Sequence, residues 1–201
     1  MFTPAVKALQ ERYGSRRQYG KGEHCGECRE QLTAQEREFV AERDSFYIAT
    51  VSETGWPYVQ HRGGPKGFLK PIDEGTVGFA DYRGNKQYVS TGNLVTDSRV
   101  ALILVDYPRQ ARLKILGRAK VLEREAAADW IPRLYDPAYK AVVERVFIID
   151  VQAFDWNCQQ HITPRFTPEE IQEALAPYER RVQELERENA QLRGSDPAPV
   201  R

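Results

Sequence analysis

The sequence predicts a mainly β domain, a six-stranded antiparallel barrel with flanking helices, followed by a C-terminal coiled-coil helix. Three observations predict it. Six runs rich in β-branched and aromatic residues fall between positions 46 and 151, with turn signals between them. Few helical patterns separate those runs, whereas a doubly wound parallel sheet needs a helix after most strands. Beyond them, Ile171, Leu175, Tyr178, Val182, Leu185, Asn189 and Leu192 recur at spacings of 4, 3, 4, 3, 4 and 3, which is a heptad seam.

The 201 residues allow one domain with appendages, and 41% hydrophobic residues can supply one core. Lysine plus arginine equals aspartate plus glutamate at 29 each, so no global field favours nucleic acid or a membrane surface, and neither is an expected partner. No apolar run approaches the ~20 residues needed to span a bilayer, and Met1 to Leu9 lacks a signal-peptide pattern. The cysteines, Cys25, Cys28 and Cys158, are an odd set that fits a reducing compartment. A cytoplasmic location is expected.

Residues 1–32 form a polar extension in which glycines alternate with Arg16, Arg17 and Lys21, too polar for a core of its own. Thr33 followed by Glu36 is a capping box, and Phe39 and Val40 supply the apolar side of a short helix ending at Asp44 and Ser45. The main domain is read as residues 33–166. Its first strand, 46–51, turns at Glu53-Thr54-Gly55 into a second extended run, Trp56 to Arg62. A third strand, 76–80, follows the turn at Asp73-Glu74-Gly75. Val100 to Asp106 is almost continuously apolar, as in a buried strand. Residues 111–123 alternate, 124–145 are helical in part with breaks at Pro132 and Pro137, and 146–151 form the last strand.

The coiled-coil helix is assigned to 167–193, with Asn189 at an a position, where an amide pair favours a parallel two-stranded arrangement. Pro177 would interrupt one continuous helix, so it is expected to begin a second one. The tail 194–201 is expected to be disordered.

Three segments build barrels poorly and therefore draw attention. His61-Arg62-Gly63-Gly64-Pro65-Lys66-Gly67 follows a strand, exposes backbone and carries two cations. Asp81-Tyr82-Arg83-Gly84-Asn85-Lys86, with Ser90 and Asn93 nearby, offers cations and short donors suited to phosphate oxygens. Residues 155–165 compress Trp156, Cys158, His161 and Arg165 into one stretch after the last strand.

In that order on a small β-barrel, these motifs resemble the FMN-binding split-barrel family typified by pyridoxamine 5′-phosphate oxidase. The carriers are 46–51 with Gly55-Trp56-Pro57, then 62–68, 81–86 with Asn93, and the strand Arg112 to Ala119 with its Gly-x-Ala ending. Asn157-Cys158-x-x-His161-Ile162-x-Pro164-Arg165 resembles the flavin-nucleotide-binding branch of that family. The resemblance implies a homodimer with FMN at the subunit interface. It implies that Arg62, Gly63, Gly64, Pro65 and Lys66 line the ring and ribityl chain, and that Arg62, Asn85 and Lys86 hold the phosphate with Ser90 and Asn93 close by. Arg112 would reach the flavin ring, and Trp156, Cys158, His161 and Arg165 would arrive from the other subunit. FMN itself supplies redox chemistry, so an oxidoreductase acting on a small molecule, with NAD(P)H as electron donor, is the expected function. The rival class is a non-catalytic flavin-binding or sensing protein.

The chain departs from the true oxidase. Its lysine is displaced in the Arg62 to Gly67 segment, and the C-terminal Trp-Arg-Leu and Arg-x-Glu-Phe-Trp patterns that hold pyridoxamine phosphate are missing. Vitamin B6 oxidation is not expected. Cys25-x-x-Cys28 and Cys158-x-x-His161 together have a zinc-site composition, but the long interval between the halves fits no compact zinc module. No metal site is assigned.

Overall fold

The computed structural model describes residues 2–19, 30–157 and 160–194. The readings made on Cys25, Cys28 and Cys158, and on the tail beyond Gly194, lie outside them. Two compact units emerge. The first runs from the N-terminus to Asp106 and from Ala111 to Gln160, and the second comprises Tyr107–Gln110 and His161–Arg201.

The first unit is built on one seven-stranded antiparallel sheet. Its strands are β1 (Ser45–Val51), β2 (Pro57–Gly63), β3 (Leu69–Pro71), β4 (Thr76–Tyr82), β5 (Arg99–Asp106), β6 (Ala111–Glu123) and β7 (Val143–Asn157). Their order across the sheet is β2-β1-β5-β6-β7-β4-β3. β2 and β3, consecutive in sequence, therefore stand at opposite edges, joined only by residues 64–68. Strands alternate inward and outward, as β5 does from Val100 to Asp106, so the inward residues converge on one core. That core centres on Phe46, Ile48, Phe68, Phe79, Leu102, Leu113, Ile115, Phe147 and Ile149, all nearly inaccessible. Phe68, from the connection between the two edges, stacks on Phe46 at 5.5 Å and meets Phe79 edge-on at 6.3 Å. The sheet is thus curled until its edges share an aromatic cluster, although no ladder joins β2 to β3 among the described residues.

Seven strands replace the six expected. The addition is β3, three residues ending in Pro71, too short for a period-two signal and created by its hairpin with β4. β7 is also longer than the 146–151 run. It begins at Val143, and of the helical pattern read into 124–145 a single turn remains, α5 (Ile131–Leu134).

Helices flank the sheet. α1 (Pro4–Arg12), capped by Thr3, and α2 (Arg16–Tyr19) occupy the segment read as a polar extension without a core of its own. α3 (Ala34–Ala41) carries the expected capping box, with Thr33 and Glu36 satisfying one another's backbone and side chain. Leu32, assigned to the extension, is 1% exposed and belongs to the barrel core. α4 (Val89–Thr96) was not anticipated, because Ser90-Thr91-Gly92-Asn93 is a turn-forming composition with low helix propensity.

The second unit carries α6 (Pro168–Gly194), one helix of 27 residues with Pro177 inside it. The expected restart at Pro177 does not occur. Thr167 caps the helix reciprocally with Glu170, at 2.8 and 3.2 Å, a second Thr-x-x-Glu box present in the sequence and overlooked there. In the same unit Gln110 donates to the Ile162 carbonyl at 2.6 Å, and the Arg165 guanidinium lies over the Tyr107 ring.

Candidate functional site

β4 and β7 run antiparallel with Asp81 directly opposite Arg145. The residues Arg145, Phe147, Ile149 and Val151 alternate along one face of β7, so Arg145 lies in step with apolar residues of the barrel core. A buried charge requires a partner, and the Asp81 carboxylate accepts from Arg145 Nη1 at 3.2 Å. Its other oxygen accepts from Arg62 Nη1 at 2.6 Å. Arg62 comes from β2, so this buried Arg-Asp-Arg triad links one edge strand to β4. Burial raises the Asp81 carboxyl above the ordinary range, and Arg62 and Arg145 act against that rise.

The triad forms the floor of a cleft of about 360 Å³. Gln60 to Gly63 of β2 line one side, and Asp81 to Lys86 with Tyr88 line the other. Lys86 and Tyr88 both have positive φ, 59° and 54°, an unusual conformation for non-glycine residues. Tyr88 also begins α4 without a side-chain cap, and its ring lies 4.7 Å under the Arg145 guanidinium. Arg83 pairs with Glu144 at 3.0 Å. Lys86 is exposed and, among the described lysine and arginine residues of the cleft, is the one without a carboxylate partner. Three buried donors of cleft-lining residues, Arg62 Nε, Arg145 Nε and the Tyr82 hydroxyl, make no hydrogen bond, although Glu123 lies 3.4 Å from Arg145 Nε. Burial, then Asp136 and Tyr139, raises the Tyr82 phenol, so it keeps its proton near neutral pH and remains a donor.

Of the residues singled out from sequence, Arg62, Gly63, Asn85 and Lys86 meet in this cleft. Others have different employment. Ser90 is fully buried and donates to Gln60 Oε1 at 2.9 Å, while Asn93 Nδ2 donates to Thr50 Oγ1 at 2.9 Å. Both pin α4 to the barrel wall. Gly64, Pro65 and Lys66 do not line the cleft. The glycine run is not bare backbone awaiting a flat ligand: the Gly64 and Gly67 amides donate to the carbonyls of Asp44 and Arg43, each at 2.9 Å. The glycines themselves answer to the fold. A Cβ at Gly64 would meet Phe68 at 2.7 Å, and Gly67 has φ +79° with the Ala41 carbonyl 2.9 Å from where a Cβ would stand.

Arg112 lies on β6, between Val105 and Asn157, and is not among the residues lining the cleft. The Trp156 indole N–H donates to Glu36 Oε1 at 2.6 Å and its ring packs edge-on against Phe39 at 4.8 Å, so its polar end is used within its own chain. His161 and Arg165 belong to the second unit. Sequence reading missed the roles of Asp81 and Arg145. The signal was available, because two opposite charges fall in step with the core-facing residues of strands that proved to be neighbours.

A curled antiparallel sheet whose edges meet at an aromatic cluster, with a cation-lined cleft beside them, defines a split-barrel protein. The chain belongs to the pyridoxamine 5′-phosphate oxidase family, whose model matches residues 32–162. The chain is also similar to several solved structures. HupZ of Group A Streptococcus is 18% identical, covering 67% of this chain and 100% of its own, with a TM-score of 0.47. An FMN-binding protein from Syntrophomonas wolfei is 14% identical, covering 77% and 95%, with a TM-score of 0.47. HutZ, the heme storage protein of Vibrio cholerae, is 17% identical, covering 62% and 94%, with a TM-score of 0.41. At these scores none of them bears on the chemistry of the site. No curated protein matches the sequence. Among the described residues, no helix is long and apolar enough to cross a membrane, and no group of three or more His, Cys, Asp and Glu residues is placed to hold a metal.

Proposed function

We propose that this chain is an FMN-binding flavoprotein that acts as an oxidoreductase on a small molecule, with the cofactor in the cleft between β2 and the loop after β4. One observation carries the reading. Arg62 and the Asn85-Lys86 pair, remote in sequence, line one cleft whose volume lies within the range typical of ligand sites. The unpartnered donors Arg62 Nε and Tyr82 O–H suit a ligand rich in acceptors, and FMN has both a dianionic phosphate and ring carbonyls. Lys86 is the residue proposed to take the phosphate, assisted by the Asn85 amide. Arg62, oriented by Asp81, is proposed to present its guanidinium to the cofactor. Bound FMN would supply the hydride or electron transfer.

A second copy of the chain is proposed to complete the site, with His161 and Arg165 as its contribution. Oxidation of pyridoxamine phosphate is not part of the reading, because the substrate-holding C-terminal patterns are missing. Purified protein is expected to be yellow and to show the visible bands of oxidised flavin, which bleach when NADPH or NADH is added anaerobically. Bound flavin that neither donor bleaches would favour the non-catalytic alternative. A colourless protein that leaves added FMN free would overturn the proposal.

A further inference from the structure

α6 presents an apolar stripe that its own chain leaves in water. Ile171, Leu175, Tyr178, Val182, Leu185 and Leu192 are between 41% and 71% exposed, and they recur on one side of a helix of 27 residues. Most helical stability in proteins comes from packing an apolar face against a partner, and a continuous exposed apolar stripe marks an interface. In heptad terms Leu175, Val182 and Asn189 occupy a, and Ile171, Tyr178, Leu185 and Leu192 occupy d. Pro177 then falls at c, off the seam, where its ring and its missing N–H do not obstruct a partner.

The flanking charges identify the partner. The g positions are Ala174, Arg181 and Glu188, and the e positions are Gln172, Glu179, Glu186 and Arg193. In a parallel in-register pair, each g residue faces the e residue of the following heptad on the other helix. That sets Arg181 against Glu186 and Glu188 against Arg193, opposite in sign both times. It also sets Asn189 against Asn189, where two amides can bond to each other. An antiparallel pairing of the same seam would put Asn189 against Tyr178 and Glu179 against Glu186, leaving an amide poorly matched and two carboxylates apposed. β-branched Val182 at a with Leu185 and Leu192 at d favours two strands. Within one helix Arg181 pairs with Glu184 at 3.0 Å and reaches Glu188 at 3.9 Å, so the charges that would meet a partner already lie along this flank.

We propose that α6 is a parallel, in-register two-stranded coiled coil whose occupant is a second copy of this chain, specified by Asn189 and the Arg181–Glu186 and Glu188–Arg193 pairs. The proposal does not depend on the flavin reading, and bound FMN, followed by absorbance, reports that reading separately. The test uses the full chain with Cys25, Cys28 and Cys158 changed to serine. Leu192→Cys is expected to form a disulfide-linked dimer roughly tenfold faster than Arg187→Cys at the outward f position, since a and d positions, unlike f, face their counterparts across a parallel seam. Equal rates, or no cross-linking at Leu192→Cys, would overturn the proposal. So would cross-linking confined to a mixture of Leu192→Cys with Leu175→Cys, the signature of antiparallel pairing. As a second arm, Arg181→Glu is expected to slow Leu192→Cys cross-linking several-fold, and adding Glu186→Arg is expected to restore it. Absence of that rescue would refute the assigned register.

Discussion

The Arg62 guanidinium on β2 meets the Asp81 carboxylate on β4 at 2.6 Å, although the two strands are not ladder partners. Arg145 approaches the same carboxylate at 3.2 Å from β7, so one anion organises two cations at the base of the cleft. Removing it would leave the Arg62 guanidinium without its carboxylate, and Arg145 with only the longer contacts to Glu123 and Glu144 at 3.4 and 3.5 Å. Asp81→Ala is therefore expected to destabilise the fold by about 3–5 kcal/mol, read as a lower urea midpoint. Asp97, paired at a comparably short distance with Arg99 on the surface, provides the contrast. Asp97→Ala should leave the midpoint unchanged within error, because solvent screens exposed pairs. Equal losses in the two variants would contradict a buried triad.

The cofactor reading divides the residues into two sets with opposite signatures. Lys86→Ala is expected to weaken FMN binding by about 1.5–3 kcal/mol with little effect on stability. Ser90→Ala and Asn93→Ala are expected to do the reverse, costing about 1–2 kcal/mol of stability each while FMN affinity changes little, because their side chains bond Gln60 and Thr50. Fluorescence titration with FMN and urea unfolding separate the two. Loss of FMN affinity in Ser90→Ala at unchanged stability would return that residue to the phosphate site.

Glu36 makes stability depend on acid pH in a defined direction. Burial pushes its carboxyl up, but hydrogen bonds from Thr33 and Trp156 outweigh burial and hold it below its ordinary value of 4.5. Its contribution is therefore complete above 4.5 and is lost as pH falls through the lower folded value. Trp156→Phe keeps most of the packing on Phe39 and removes the indole donor. The variant is expected to unfold at a higher pH than the parent in an acid titration followed by near-UV circular dichroism. Asp81 works in the opposite sense. Its raised folded value means that its share of stability falls as pH rises through that value, so the comparison must be made between parent and Trp156→Phe rather than from one curve.

The loop between the sheet edges tests whether its glycines serve the fold. Gly67→Ala places a Cβ in the left-handed region and against the Ala41 carbonyl, and is expected to cost about 2 kcal/mol or more. Gly84→Ala, in the loop after β4, meets nothing within 4 Å and should lie within about 0.5 kcal/mol of the parent. Thermal unfolding of the two variants decides it. An indifferent Gly67→Ala would mean that the loop re-forms without its left-handed turn.

Much of the barrel was legible because its signals are local. The apolar run along 100–106, the alternation along 111–121, the turn at 53–55 and the Thr33-x-x-Glu36 box each act within a few residues, and each element formed where expected. The failures are equally physical. β3 exists only because β4 offers it a ladder, and α4 only because Ser90 and Asn93 find buried acceptors on β1 and β2. For the site, sequence brought out Arg62, Asn85 and Lys86 as a set, but it also counted Ser90, Asn93 and the Gly64–Gly67 backbone as available.

By itself, then, the sequence determined the β-rich class, the family resemblance and the heptad seam of α6, all of which rest on periodicity or on short motifs read in order. Tertiary structure alone decided which polar groups are already in use. Hydrogen bonds such as Asn93 to Thr50 and Trp156 to Glu36 join residues 43 and 120 positions apart, and a donor's availability depends on what the folded chain brings beside it.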